Sequence, residues 1–216
     1  MKPSSMLYRF CYCLARPVLG FLYWCFVQGK KNIPDTPVLV CANHSSLLDP
    51  FLLAFAFGIK RNVHMIGKVE LFRIPIISPI ILKLGMISVD RGIMDVKTVK
   101  KTLGFLNNGG RVAIFPEGTR TSEDNAVAAK SGAIKLAEHA GVPILPVFIP
   151  RKKRIFKKFT VAIGEPFHIE KQKEKRVQED YIKLSEIMMD KIYSLNPETA
   201  QARAPKPVIR KTWKSN

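Results

Sequence analysis

His44 is followed five residues later by Asp49, within Asn43-His44-Ser45-Ser46-Leu47-Leu48-Asp49. An imidazole titrates near neutrality and can take a proton from a hydroxyl. A carboxylate bonded to its other nitrogen fixes the tautomer and stabilises the imidazolium that forms. On one regular helix, five residues turn through about 500° and leave two side chains about 140° apart, so the pair cannot meet there. It can meet if His44 lies in a loop and Asp49 begins a helix. Pro50 favours that layout, because proline suits the first helical position and keeps the preceding residue out of the α region. Asp49 is then the expected helix N-cap, a role compatible with holding His44. The pattern offers no evident serine or cysteine nucleophile. The simplest chemistry is direct: a hydroxyl deprotonated by His44 attacks an acyl thioester, and His44 returns the proton to the leaving thiolate.

Phe115-Pro116-Glu117-Gly118-Thr119-Arg120 ends an apolar run in a tight turn. Proline stops a strand, and glycine permits the turn. Glu117, Thr119 and Arg120 are expected to project there, with the guanidinium fork suited to a phosphate monoester. The plainer reading is a surface turn with a local Glu–Arg contact. Asp90-Arg91 repeats the theme after another apolar run, with an ordinary loop ion pair as its plainer reading. A hydroxyl-activating base and a phosphate grip together point to acyl transfer onto a phosphorylated alcohol. His64, His139 and His168 lack any spacing that suggests a metal site and read as structural or surface residues. Cys11, Cys13, Cys25 and Cys41 form no C-x-x-C pair and read as small apolar side chains in a reducing compartment.

These residues need a frame to bring them together. Short apolar strands are expected at Val38–Cys41, Val63–Ile66, Met86–Val89, Val112–Phe115, Ile144–Ile149 and Thr160–Ile163, with helices at Pro50–Gly58, Ser78–Leu84, Met94–Leu106 and Lys130–His139. Val177, Tyr181, Leu184, Met188 and Ile192 recur at helical spacing, so a last amphipathic helix follows. The alternation predicts an α/β fold with a mixed, mostly parallel sheet flanked by helices. His44, Arg91 and Glu117–Arg120 each follow a strand directly, where ligands of such sheets gather.

The ends read differently. Residues 18–27 are apolar and aromatic, but ten residues are too few to span a bilayer, which takes about 20. Residues 1–30 are therefore expected as two short membrane-interfacial helices around Pro17, a hairpin lying in one leaflet. Residues 31–196 form the α/β domain, and residues 197–216 a loose basic tail. The net charge is +18, and half of it falls after residue 150. Such a field attracts an anionic membrane or nucleic acid, and charge alone does not choose between them. A basic nucleic-acid-binding protein would account for Arg151-Lys152-Lys153-Arg154, but not for the apolar N-terminus or the His/Asp block. A non-catalytic lipid-binding protein would leave His44 and Asp49 unexplained.

In their order, these segments resemble the lysophosphatidic acid acyltransferase (1-acyl-sn-glycerol-3-phosphate acyltransferase) family, in its bacterial form. Asn43–Asp49 resembles the catalytic His-x4-Asp block; Gly85–Arg91, the block whose arginine binds phosphate; Phe115–Arg120, the block assigned to the glycerol phosphate; and Val142–Val147, a structural and acyl-region block. Lys130-Ser131-Gly132-Ala133 is similar to a further family segment. Met86 and Ser88 depart from the more usual residues of the second block, so the resemblance leaves another lysophospholipid or a lipoamino acid open as acceptor. The resemblance implies acylation of the sn-2 hydroxyl of 1-acyl-glycerol-3-phosphate to phosphatidic acid, with His44 and Asp49 catalytic. It implies substrate contacts from Arg91, Glu117, Gly118, Thr119, Arg120 and Lys130. It also implies an acyl-CoA or acyl-carrier-protein donor, no cofactor, no metal, no specific nucleic acid, and a place on the cytoplasmic face of the cell membrane.

Overall fold

The computed structural model describes residues 5–75, 78–89, 95–123, 127–170 and 176–197. Arg91 and nearly all of the expected basic tail lie outside these residues.

The chain runs α1 (Ser5–Leu22), β1 (Trp24–Gln28), β2 (Val38–Ala42), α2 (Asp49–Phe57), β3 (Val63–Lys68), α3 (Ser78–Lys83), β4 (Ile87–Val89), α4 (Val96–Asn107), β5 (Arg111–Ile114), α5 (Gly132–Ala140), β6 (Ile144–Phe148), β7 (Lys158–Ile163) and α6 (Gln178–Ser194). Seven strands form one sheet in the order β1-β7-β6-β2-β5-β3-β4. All neighbours are parallel except β6 and β7. The expected α/β sheet is therefore present, mixed and mostly parallel.

Alternation along β2 explains its uninterrupted burial. Val38, Val40 and Ala42 pack with Leu52, Leu53, Ala56 and Phe57 of α2 on one face. Leu39 and Cys41 pack with Ile134 of α5 and Met188 and Ile192 of α6 on the other. A strand covered by helices on both faces loses the polar side of its pattern, so β2 reads as a continuous apolar run. The crossover from β2 leads rightward past β5 to β3, whereas that from β5 leads leftward across β2 to β6. β2 thus stands at the point where the winding reverses. The loops after β6, β2 and β5 leave neighbouring strands at the same edge, which is where such sheets open a crevice.

The N-terminus departs from the expected helical hairpin. α1 is a single helix that continues through Pro17. Proline there forgoes a bond to the carbonyl of Cys13, an exposed residue, so no buried acceptor is left unpaired. The second half of the apolar run is a strand. Tyr23, Cys25 and Val27 pack on the core while Trp24, Phe26 and Gln28 face out. Aromatic and β-branched residues fit such a half-buried edge better than a second helix. Gly29 follows with φ 73, and a Cβ there would sit 1.9 Å from the Ile163 carbonyl oxygen, so only glycine lets β1 leave the sheet beside β7. The α/β unit therefore begins at Trp24 rather than at residue 31.

Candidate active site

The loop after β2 is fixed first by Asn43. Its buried amide donates to the Ile149 carbonyl at 2.8 Å and accepts the Ile149 N–H at 2.7 Å. This two-way bond ties the end of β2 to the end of β6 and leaves the next residue, His44, at the crevice.

His44 Nδ1 lies 2.9 Å from Asp49 Oδ2. An ionised carboxylate only accepts, so Nδ1 carries the proton and Nε2 keeps its lone pair. The His44 side chain is 18% exposed, which leaves it within reach of a substrate, whereas the Asp49 side chain is fully buried. The imidazole stacks on the Phe115 ring at 4.2 Å and 19°, which fixes its plane.

Asp49 is not the N-cap expected from sequence. It is the first residue of α2, and its carboxylate reaches backwards rather than into the helix. Oδ2 accepts the Ser45 and Ser46 N–H groups at 2.6 and 2.8 Å as well as the His44 bond. Pro50 has no N–H to offer, so the carboxylate finds its donors in the turn that precedes it. Oδ1 faces Lys153 Nζ at 2.7 Å, and that ammonium also donates to Ser45 Oγ at 2.8 Å. Burial alone would raise the Asp49 carboxyl. The His44 bond, the Lys153 charge and the Ser45 amide outweigh burial and hold the group below the ordinary aspartate range. Asp49 is thus an anion at neutral pH, positioned to stabilise an imidazolium.

Glu117 departs from expectation as well. Its place in the turn predicts that it projects towards substrate, yet it is only 2% exposed. Oε2 accepts the His44 backbone N–H at 2.6 Å. Oε1 accepts Tyr193 OH at 2.6 Å, Arg151 Nη2 at 3.0 Å and Thr121 Oγ1 at 3.1 Å. A buried carboxylate must be paired and bonded on all sides, and the loop after β5 can turn inward to meet those donors. Glu117 therefore fastens the loops after β2, β5 and β6 to α6, while its neighbours on the turn behave differently.

Those neighbours stay outside. Gly118, Thr119 and Arg120 are exposed on the same turn. Thr121 N–H donates to the His44 carbonyl at 2.9 Å, so the turn is held against the catalytic loop from both ends of Glu117–Thr121. Gly118 has φ 66, and a Cβ there would lie 3.0 Å from Lys130 Cε, so its bareness lets the Lys130 side chain lie across the turn. Lys130 is anchored by its own N–H to the Pro116 carbonyl at 2.9 Å. Arg120 and Lys130, ten residues apart in sequence, thus serve one exposed turn.

Arg151, Lys153 and Tyr193 are site residues that sequence reasoning missed. Arg151 and Lys153 read as half of a solvated basic run, but they turn inward while Lys152 and Arg154 face solvent. That period of two, continuing from β6, was the available signal. It also removes two of the four cations on which the nucleic-acid reading rested. His64 is buried in β3 with its ring stacked on Phe105 at 4.1 Å, a packing role. Among the described residues no group of three or more His, Cys, Asp and Glu side chains converges to hold a metal.

A family model described as Acyltransferase matches residues 25–150. The chain is 32% identical over 168 residues to the 1-acyl-sn-glycerol-3-phosphate acyltransferase of Bacillus subtilis, covering 75% of this chain and 83% of that one. It is 28% identical over 179 residues to the enzyme of the same name from Borreliella burgdorferi, covering 78% and 67%. The crystal structure of the 1-acyl-sn-glycerophosphate acyltransferase PlsC from Thermotoga maritima superposes with a TM-score of 0.62 at 28% identity, over 94% of this chain and 81% of that one. With its His–Asp pair at the winding reversal of a matching sheet, the chain belongs to the 1-acyl-sn-glycerol-3-phosphate acyltransferase family.

Proposed function

We propose that the protein moves a fatty acyl group from an acyl thioester to the free sn-2 hydroxyl of 1-acyl-glycerol-3-phosphate, giving phosphatidic acid. The observation that carries this reading is the His44–Asp49 pair, with Nδ1 committed to a buried carboxylate and Nε2 left to act on substrate. Nε2 takes the hydroxyl proton as the oxygen attacks the thioester carbonyl. The tetrahedral adduct collapses with cleavage of the C–S bond, and His44 gives its proton to the departing thiolate. Atoms balance without a covalent acyl-enzyme. Asp49 steadies the imidazolium between the two transfers.

Arg120 and the Thr119 hydroxyl on the exposed turn, with the Lys130 side chain lying across Gly118, are the groups that grip the acceptor's phosphate. Arg91, two positions after Val89 in the sequence, joins them in this reading. The donor is acyl-CoA or acyl-carrier protein, both thioesters of the same arm, and no cofactor is required. Met6, Phe10, Leu14, Val18 and Phe21 form an exposed apolar stripe at helical spacing along α1, which supports attachment to the cytoplasmic face of the membrane that holds the acceptor. Among the described residues no helix is long and apolar enough to cross a membrane.

The test is incubation with lysophosphatidic acid and either donor, with mass analysis of the product. Phosphatidic acid should appear, and His44→Ala should lower turnover by about 10²–10⁴-fold, the usual contribution of a general base. Near-normal turnover by a folded His44→Ala protein would refute the mechanism.

A further inference from the structure

The loop from β6 to β7 has two sides. Arg151 and Lys153 point into the site, and the rest of the loop takes no part in it. Lys152, Arg154, Lys157 and Lys158 are exposed, and no acidic residue lies between Pro150 and Gly164. Ile155 and Phe156, between those cations, are each 52% exposed. A tight turn closes the tip, with Lys157 N–H donating to the Arg154 carbonyl at 3.2 Å. Phe156 is the third residue of that turn and has φ 59, the only positive φ at a non-glycine among the described residues. Turns of this kind take glycine or asparagine there, and a bulky aromatic is a conformational outlier. Outliers of this kind persist only where the surroundings impose them, and they cluster at functional sites. Here the surroundings are the end of α1. Phe156 N–H donates to the Leu22 carbonyl at 2.8 Å, and its ring meets Phe21 edge-on at 5.7 Å and 87°. Phe21 is the last residue of the exposed stripe on α1, so the loop tip and the stripe are one continuous apolar surface.

We propose that the tip Ile155-Phe156, with its four flanking cations, is a second membrane-contacting element that seats on anionic lipid. An apolar tip among cations matches the two-part attraction of an anionic bilayer, insertion plus charge. Single-stranded nucleic acid could use the cations and stack on an aromatic, but the Phe156 ring is turned against Phe21 of the apolar stripe and Ile155 offers no face for a base. The proposal rests on the reading that the acceptor is a membrane lipid, and it adds which surface faces that lipid. One hydrogen bond and one ring contact join this loop to α1 while its inner side carries Lys153 to Asp49. Both lipid-facing elements therefore hold the His44 crevice beside the bilayer.

The test uses the full chain and sedimentation with vesicles of phosphatidylglycerol or of phosphatidylcholine. Phe156→Gly removes the ring and relieves the positive φ, so it should keep or raise the melting temperature while lowering partition severalfold on both vesicle types. Lys152→Gln with Lys157→Gln should lower partition on phosphatidylglycerol by about 30-fold at low salt, from the usual contribution of two basic residues near such a surface, and leave phosphatidylcholine unaffected. Both variants should retain turnover of a short-chain, water-soluble lysophosphatidate. Unchanged partition in both variants would overturn the proposal. So would a loss of affinity for an acyl-carrier-protein donor with vesicle binding intact, which would make the loop a carrier site. If the unaltered protein acylates no glycerophosphate acceptor at all, the functional reading fails, and the vesicle measurement still decides the surface.

Discussion

Lys153→Met isolates the residue that pairs with the buried Asp49 carboxylate. Two unit charges 2.7 Å apart attract by about 6 kcal/mol at an effective dielectric constant of about 20. Desolvation offsets much of that, and removing one partner of a buried pair typically costs about 3–5 kcal/mol. Asp49 Oδ2 would keep its three N–H donors, from His44, Ser45 and Ser46. The expected loss is therefore at the lower end, about 3 kcal/mol, read as a lower urea midpoint at pH 7. The pH dependence has a defined sign. Asp49 in the folded protein titrates below its unfolded value of about 3.9, so it contributes stability above that pH. That contribution is lost as pH falls through the folded value. Without the ammonium the folded value rises, and acid unfolding should begin at higher pH. Lys153→Arg, which keeps the charge, should recover part of both effects. A stability change below about 0.5 kcal/mol with an unmoved pH of acid unfolding would show that Lys153 is incidental.

Other substitutions test the rest of the site. Glu117→Gln removes the carboxylate charge that Arg151 meets at 3.0 Å and should lower the melting temperature by several degrees in calorimetry, with little selective effect on acceptor KM. A Glu117→Gln protein of unchanged stability with a specifically raised acceptor KM would restore Glu117 to the substrate. Arg120→Lys should raise KM for the phosphorylated acceptor more than for the acyl donor, since lysine keeps the charge but loses the bidentate fork; steady-state kinetics with each substrate varied in turn decides it. His64 titrates below its ordinary value because burial disfavours its charged form, so the stability it contributes in neutral form is lost as pH drops from about 6.5 through the folded value. His64→Phe should flatten that loss in urea titrations at pH 7 and pH 5.

The pairing of His44 with Asp49 could be read in the sequence because it is local. His44 and Asp49 are five apart, and Pro50 alone indicates that they straddle a loop and a helix start. The strands were legible for a related reason: a sheet covered on both faces selects short apolar runs closed by turn residues, as at Val38–Ala42 and Arg111–Ile114. The strand at Trp24–Gln28 was not legible, since its apolar alternation merges with the preceding helix and only pairing with β7 separates the two. The direction in which a charged residue faces was also decided by tertiary structure. Lys153 reaches Asp49 across 104 positions, and Glu117 turns from the expected substrate contact into the buried bond that joins His44, Arg151 and Tyr193. Sequence gives a carboxylate or an ammonium its chemistry. Whether it meets water, substrate or an opposite charge depends on which strands become neighbours, and here the crossovers placed β6, β2 and β5 side by side.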